Sequence, residues 1–230
     1  MKTIGLLGGM SWESTALYYR QINQEVKKRL GGLHSASLAM VSVDFEEIEV
    51  LQRRDDWDRA GAVLGSAARR VEAAGADFLL ICTNTMHKVA PQVQAAIDIP
   101  LLHIADATAE QIKAEGIETI GLLGTNFTME EQFYAGRLES RHGLRVLIPS
   151  PAEREIVHRV IFEELVLGEI KSESRRKFVE IIAGLRGRGA EGVIEGCTEI
   201  VMLVQQEHTD VPLFDTTAIH AQAAVDRALA

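Results

Sequence analysis

Residues 75–85 read GADFLLICTNT and residues 189–199 read GAEGVIEGCTE, and the likeness of these two stretches predicts the fold. In each, Gly-Ala precedes a short apolar run, and a polar or thiol side chain follows it. The alignment sets Thr83 opposite Cys197, at an offset of 114 residues. A strand that ends in a chemically useful side chain is therefore predicted twice, once in each half of the chain.

Two further pairs of stretches extend this repeat outward. Residues 4–10 read IGLLGGM and residues 120–126 read IGLLGTN, an offset of 116 residues. Pro100 opens PLLHIADAT and Pro212 opens PLFDTTAIH, an offset of 112 residues. Because the offsets drift only slightly, we interpret the chain as a duplicated α/β unit. Such a duplication suggests one cleft with a reactive group on either side.

Length, composition and charge match a globular protein and disfavour several classes of partner. The 230 residues suffice for one large domain or two small ones, and the repeat favours two. The net charge of −9 argues against a nucleic acid or an anionic membrane as partner. No apolar run approaches the ~18–20 residues of a membrane-spanning helix. No signal-peptide pattern opens the chain, and we expect a cytoplasmic protein.

Apolar strand patterns alternate with helical patterns, which indicates parallel sheets covered by helices on both faces. Strands are predicted over residues 3–7, 37–43, 77–82, 100–104, 119–123, 144–148, 192–195 and 213–214. Helices are predicted over residues 11–30, 57–74, 86–97, 105–115, 129–142, 153–167, 174–187, 198–207 and 217–229. The expected fold is α/β, with two pseudosymmetric doubly wound parallel-sheet domains and the active site in the cleft between them. The first domain spans residues 1–100 and the second 101–214, and a last helix at about 215–230 packs back on the first.

The turn after the first predicted strand reads Gly8-Gly9-Met10-Ser11. It matches neither the dinucleotide fingerprint nor the Walker A loop. Its glycines could let the backbone approach a small ligand, with helix N–H groups aimed at an anion. A tight turn without a ligand is the alternative.

Two further strand-end turns carry the candidate chemistry. Thr83, Asn84 and Thr85 offer hydroxyls, an amide and helix N–H groups that could hold a carboxylate. Helix capping by Asn84 or Thr85 is the alternative. In the second half, Cys197 lies at a predicted helix N-terminus, where the helix dipole favours the thiolate. Glu199 could position this thiol or a substrate ammonium, or serve only as a first-turn charge that complements the helix.

Metal and cofactor chemistry find little support in the remaining residues. No Cys/His cluster has zinc spacing, so no metal site is predicted. No lysine lies in a setting typical of pyridoxal phosphate. Cys82 and Cys197 are expected to be free thiols, with inert buried cysteine as the alternative. His87 either orients the neighbouring turn or only packs, and Gln52 could reach the cleft if the charged stretch 53–58 is a solvated loop that acts as a lid.

Three motifs, IGLLGGMSWEST, CTNTMH and EGCTE, resemble the aspartate/glutamate racemase family, a cofactor-independent group. They follow the family's order and spacing over essentially the whole chain, and the acidic-amino-acid branch that begins GGMSWEST is the nearest match. The resemblance implies two pseudosymmetric α/β domains with the active site between them, and a homodimer. It also implies two cysteines that act on opposite faces of the substrate α-carbon.

Position by position, the resemblance assigns the family's second cysteine to Cys197 and puts Thr83 where the first would stand. Cys82 is one residue away, and strand alternation should point its side chain to the other face. Because a hydroxyl is a far weaker acid than a thiol, we expect asymmetric catalysis. Cys197 would take the α-proton of the L enantiomer, and Thr83, directly or through water, would supply a proton on the other face, so that L-to-D conversion is favoured in the chemical step.

The resemblance also implies a set of substrate contacts. They are Met10, Gln52, Asn84, Thr85, Thr125 and Thr198. The substrate is expected to be an acidic amino acid, although Gln52, beside Arg53 and Arg54, stands near the place where the family often has a basic residue. Decarboxylases, maleate isomerases and hydantoin racemases share the scaffold and are alternative functions. A two-domain binding protein without catalysis is a further one.

Overall fold

The computed structural model describes all residues from Met1 to Ala230 and divides them into two compact α/β units. The first unit comprises Met1–Ala107 and Thr217–Ala230, and the second comprises Thr108–Thr216. Each unit contains one parallel sheet with helices around it. The α/β class and the two parallel-sheet domains that the sequence predicts are therefore confirmed.

Successive strands are separated by one or two helices along the chain. The strands are β1 (Ile4–Gly8), β2 (Leu38–Ser42), β3 (Phe78–Ile81), β4 (Thr119–Leu123), β5 (Arg145–Leu147), β6 (Gly192–Glu195) and β7 (Leu213–Asp215). The helices are α1 (Trp12–Leu30), α2 (Phe45–Arg53), α3 (Trp57–Ala73), α4 (Ala90–Ala95), α5 (Ile104–Ala114), α6 (Asn126–Glu130), α7 (Ala135–His142), α8 (Pro151–Glu163), α9 (Ser172–Gly187), α10 (Ile200–Leu203) and α11 (Thr216–Leu229). Short 3₁₀ turns cover Thr85–Val89, Leu165–Leu167 and Gln206–His208.

The two sheets repeat the same strand order. The first sheet runs β2-β1-β3 and the second runs β5-β4-β6-β7, with every neighbouring pair parallel. The strand predicted over residues 100–104 is wrong, because only a single bridge between Leu79 and Leu101 takes the place that β7 holds in the second sheet. Pro100 has no N–H to donate, and α5 begins at Ile104, so few residues remain that could pair.

Three predicted helices are shorter or more broken than the sequence suggests. The helix predicted over 86–97 starts as a 3₁₀ turn and is α-helical only in α4, and the one over 129–142 is interrupted between α6 and α7. The one over 198–207 shrinks to α10, since Val204 is already extended. Conversely, α2 was not predicted, although Asp44 caps it through a hydrogen bond to the Glu46 N–H.

Side-chain alternation along β3 buries both faces of the first sheet. Phe78, Leu80 and Cys82 lie in one hydrophobic cluster with the α1 residue Tyr18 and residues of α11. Leu79 and Ile81 lie in the other cluster with α3 and α4. Burial on both faces explains why the strand reads as a continuous apolar run. None of the helices is both long and apolar enough to cross a bilayer.

Candidate functional site

Apart from Gln52 on α2, the candidate side chains follow the carboxyl ends of sheet strands, where open parallel sheets bind ligands. In the first unit, hydrogen bonds join the turn after β1 to the start of α1. The Gly9 N–H donates to Thr15 Oγ1 at 2.9 Å, and the Ser11 hydroxyl accepts from the Ser14 N–H. Met10 is 4% exposed and packs in a hydrophobic cluster. A capped tight turn is therefore the structure of this segment, and the Met10 side chain has a core position.

The turn after β3 separates the two adjacent candidates Cys82 and Thr83. Cys82 is fully buried in the hydrophobic cluster, and burial raises the pKa of its thiol well above the usual range. Thr83 is half-buried. Asn84 is 4% exposed and makes no capping hydrogen bond through its side chain, so the capping alternative is not observed there. A thiolate at Cys82 is disfavoured because no compensating charge offsets its burial.

Gln52 lies near the end of a helix, and a short turn follows that helix. It belongs to α2, is half-buried, and its Nε2 donates to Met86 Sδ at 2.8 Å. This contact brings Gln52 to the 3₁₀ turn Thr85–Val89, which directly follows Thr83 and Asn84. The structure thus places Gln52 beside the β3 turn within the first unit.

In the second unit, the turn after β6 joins Cys197 to Glu199. The Cys197 thiol is half-buried and donates to Glu199 Oε2 at 2.9 Å. Burial, and next the Glu199 carboxylate, raise the pKa of the Cys197 thiol well above its usual value. The helix dipole cannot offset these effects, because α10 has only four residues. Both effects oppose the thiolate that the sequence analysis expects at this helix N-terminus. The Glu199 side chain contacts the thiol and makes no capping hydrogen bond to α10.

Thr125 and Thr198, the two threonines of the second unit that the resemblance implies as substrate contacts, have different surroundings. Thr125 is 6% exposed and caps α6, its hydroxyl accepting from the Thr128 N–H. Thr198 is half-buried and lies in the turn between Cys197 and Glu199. Thr125 thus has a structural task at the end of β4, whereas Thr198 belongs to the turn that carries the thiol.

A buried carboxyl group at the end of β6 was missed from sequence. Glu195 is 3% exposed, and its Oε1 has no hydrogen-bond partner. Asp215 is its register partner on β7. Burial, followed by the Asp215 charge, raises the pKa of Glu195 to about 8. Glu195 reads as part of an apolar strand in sequence, and only the parallel register of β6 and β7 reveals its acidic neighbour.

We expect Glu195→Gln to change how stability depends on pH. The folded-state pKa of about 8 lies above the ordinary value of 4.5. The folded protein therefore binds more protons than the unfolded chain between these values, and the stabilisation present below pH 4.5 is lost as pH rises through 8. Chemical denaturation from pH 5 to 9 should show the free energy of unfolding falling by on the order of 3–5 kcal/mol more in the unsubstituted protein than in the variant.

Glu191→Gln is the matched control for this measurement. Glu191 is exposed, and the backbone N–H groups of Thr119 and Glu118 lower its pKa, so its contribution lies at acid pH. Between pH 5 and 9, the free energy of unfolding should change with pH in this variant as it does in the unsubstituted protein. Parallel slopes for Glu195→Gln and the unsubstituted protein would contradict a carboxyl that titrates within this range.

Comparisons with known proteins agree with one another on the kind of protein. The family model described as Asp/Glu/Hydantoin racemase matches residues 7–224. A Yersinia pestis protein described as a candidate Asp/Glu racemase is 56% identical, with a TM-score of 0.96 and full coverage of both chains. An aspartate racemase homologue from Pyrococcus horikoshii OT3 is 35% identical, with a TM-score of 0.86 and full coverage of both chains. The broad specificity amino-acid racemase RacX of Bacillus subtilis is 22% identical, covering 99% of this chain and 98% of that protein.

Proposed function

Because the chain belongs to the Asp/Glu/hydantoin racemase family, we propose that it racemises an acidic amino acid, L-glutamate or L-aspartate, without a cofactor. The observation that carries the proposal is the thiol of Cys197, half-buried at the carboxyl end of β6 and hydrogen-bonded to Glu199. Racemisation requires removal of the α-proton and its return to the opposite face. A thiolate can remove that proton without a metal.

The Glu199 carboxylate can generate the Cys197 thiolate by accepting the thiol proton. It accepts the thiol hydrogen bond, and its charge opposes ionisation of Cys197. Transfer of the proton from Sγ to Oε2 breaks the S–H bond and forms an O–H bond, so the pair as a whole keeps one negative charge. The resulting carboxylic acid can then donate a hydrogen bond to the thiolate. Cys197 and Glu199 thus form a hydrogen-bonded thiol–carboxylate pair in which the thiolate can act as the general base.

Thr83 is proposed to serve the other face of the α-carbon. When Cys197 takes the α-proton, the C–H bond breaks and the electron pair spreads onto the substrate carboxylate. A proton then reaches Cα from the Thr83 hydroxyl, or from a water bonded to it. Bulk water reprotonates that donor, and the Cys197–Glu199 pair releases the proton that it took to bulk water. Amide, hydroxyl and backbone N–H groups at Asn84, Thr85 and Thr198 are proposed to hold the carboxylate and stabilise its developing charge. Gln52, placed beside this turn by its contact with Met86, is proposed to contact the substrate.

The direct test is α-hydrogen exchange in deuterated water without added cofactor. The L and D forms of glutamate and aspartate are incubated separately with the protein. Proton NMR follows deuterium at Cα, and chiral chromatography follows inversion. Exchange with inversion of an acidic amino acid supports the proposal. Absence of exchange with all four substrates would contradict it, and turnover of a malonate derivative would instead identify a decarboxylase.

We expect Thr83→Cys to raise turnover from D to L. A thiol has a pKa of about 8.5 and is a far better base than a hydroxyl, so kcat for the D enantiomer should increase by about tenfold or more. The kcat/KM values of the two enantiomers should stay equal to each other, because the equilibrium between enantiomers fixes their ratio at unity. Thr83→Ser, which keeps the hydroxyl, is the control and should retain the original asymmetry. Equal kcat for D-to-L conversion in Thr83→Cys and the unsubstituted protein would count against Thr83 as the second proton carrier.

A further inference from the structure

Three buried histidines lie next to the Thr83 turn in the first unit, and the proposed reaction gives them no task. His87, His103 and His220 are 1%, 6% and 0% exposed. The ring centroids of His87 and His103 are 4.5 Å apart, and those of His87 and His220 are 6.0 Å apart. Such a concentration of imidazoles in a protein core calls for a physical explanation.

The hydrogen bonds of His87 define its protonation. Its Nδ1 lies 2.8 Å from the Thr83 carbonyl oxygen, and its Nε2 accepts from the Ile104 N–H at 3.2 Å. A carbonyl oxygen cannot donate, so Nδ1 must carry the hydrogen. An N–H points at Nε2, so that nitrogen must keep its lone pair. His87 is therefore a neutral imidazole with its proton on Nδ1, and it joins Thr83 to Ile104.

His220 is protonated on Nε2, the opposite tautomer to His87, and it bonds the backbone of Leu102, close to Ile104. Its Nε2 donates to the Leu102 carbonyl at 2.8 Å, and its Nδ1 accepts from the Tyr18 hydroxyl at 2.8 Å. Burial, and then the neighbouring His87, lower the pKa of His220 to about 3, so it stays neutral over the working range. Tyr18 on α1 and His220 on α11 thus anchor Leu102, two residues before the His87 partner Ile104.

A metal site does not account for this cluster. No group of three or more His, Cys, Asp or Glu side chains is placed to hold a metal ion. A metal ligand must present a ring lone pair to the ion. In His87 and His220 one nitrogen is protonated toward a backbone carbonyl, and the other receives an N–H or O–H hydrogen bond. These hydrogen bonds instead hold backbone groups in place, those of Thr83 and Ile104 through His87 and that of Leu102 through His220.

We propose that His87 is the positioning residue for Thr83, its neutral imidazole clamping the Thr83 carbonyl to the segment that leads into α5. The inference rests on the proposed function, in which the Thr83 hydroxyl serves one face of the substrate. Thr83 lies beyond the end of β3, outside the sheet ladder, and the Asn84 side chain does not cap the following turn. The imidazole bond supplies the restraint that the ladder no longer provides, and misplacing a catalytic group by about 1 Å can cost about 10²-fold in rate.

Two substitutions separate the two bonds of His87. The side-chain amide introduced by His87→Asn reaches the Nδ1 position and can still donate to the Thr83 carbonyl, while the Ile104 N–H loses its acceptor. In His87→Gln the longer side chain reaches the Nε2 position and can still accept from Ile104, while the Thr83 carbonyl loses its donor. Each variant loses one buried hydrogen bond, so both should be destabilised by about 1 kcal/mol. A difference between their activities therefore cannot come from stability alone.

The measurement compares two rates for L-glutamate in deuterated water: deuterium exchange at Cα with retention, and inversion to the D form. Exchange with retention needs only Cys197, whereas inversion also needs Thr83. His87→Gln should lower inversion by about tenfold or more while exchange with retention continues. His87→Asn should keep inversion within about threefold of the unsubstituted protein. Long-range ¹H–¹⁵N NMR should show His87 protonated on Nδ1 and His220 on Nε2.

Other outcomes overturn the inference in distinguishable ways. Parallel loss of exchange and inversion in both variants would mean that His87 only supports folding, and normal inversion in His87→Gln would mean that the clamp is unnecessary. An Nε2-protonated or doubly protonated His87 would contradict the bond assignment. Thr83→Ala distinguishes failure of the Thr83 assignment from failure of the His87 inference. If it retains inversion, the Thr83 assignment fails and the His87 inference fails with it; if it loses inversion while His87→Gln does not, only the His87 inference fails.

Discussion

We expect Cys197→Ser to lose deuterium exchange at Cα of L-glutamate, the enantiomer whose α-proton Cys197 is proposed to take, by at least about 10³-fold. Serine keeps the shape of the side chain and a donor toward Glu199, but its hydroxyl is far too weak an acid to ionise in this position. The Glu199 carboxylate accepts the thiol hydrogen bond at 2.9 Å, so the Sγ proton has an acceptor within direct reach. The measurement is proton NMR of each substrate in deuterated water.

Cys82→Ala is the matched control, because it removes the only other thiol of the chain. Cys82 is buried in the hydrophobic cluster with Leu80 and Tyr18, and the loss of its sulfur should cost about 1–2 kcal/mol of stability. Its exchange rate per folded molecule should match the unsubstituted protein. Substantial exchange in Cys197→Ser, or loss of it in a folded Cys82→Ala, would reject Cys197 as the base.

The largest loss of stability is expected for Gly9→Ala. Gly9 has a φ of +97°, and a Cβ placed there would lie 2.2 Å from the Val43 carbonyl oxygen and 2.5 Å from its nitrogen. Val43 itself is held by a hydrogen bond from its N–H to the Gly8 carbonyl, so its backbone cannot move without loss. Strain at positive φ and overpacking together should lower the free energy of unfolding by about 3–5 kcal/mol in urea or guanidinium titrations.

Gly75→Ala separates the two causes of this loss. Gly75 has a φ of +90°, close to that of Gly9, but a Cβ there would meet nothing within 4 Å. Its substitution should cost only about 1–2 kcal/mol, which is the conformational part alone. Equal losses at the two positions would show that the approach of Val43 to Gly9 is not what restricts the β1 turn to glycine.

The sequence by itself determined the two parallel sheets and the positions of most strands. Apolar runs such as IGLLG and FLLI predict strands buried on both faces, and the repeat relates the two sheets. Alternation along β3 also predicts correctly that Cys82 faces away from Thr83, because Cys82 continues the series of Phe78 and Leu80 into one cluster. These features depend on residues adjacent in the chain, whose periodicity is visible without tertiary structure.

Only the tertiary structure decided which polar groups meet at the strand ends. Glu195 lies beside Asp215 through strand register, and Tyr18 meets His220 across 202 residues of chain. Contacts of this kind depend on how whole helices and strands pack, and no local pattern encodes them. The sequence therefore determined the scaffold, and the protonation of its buried groups was decided by packing.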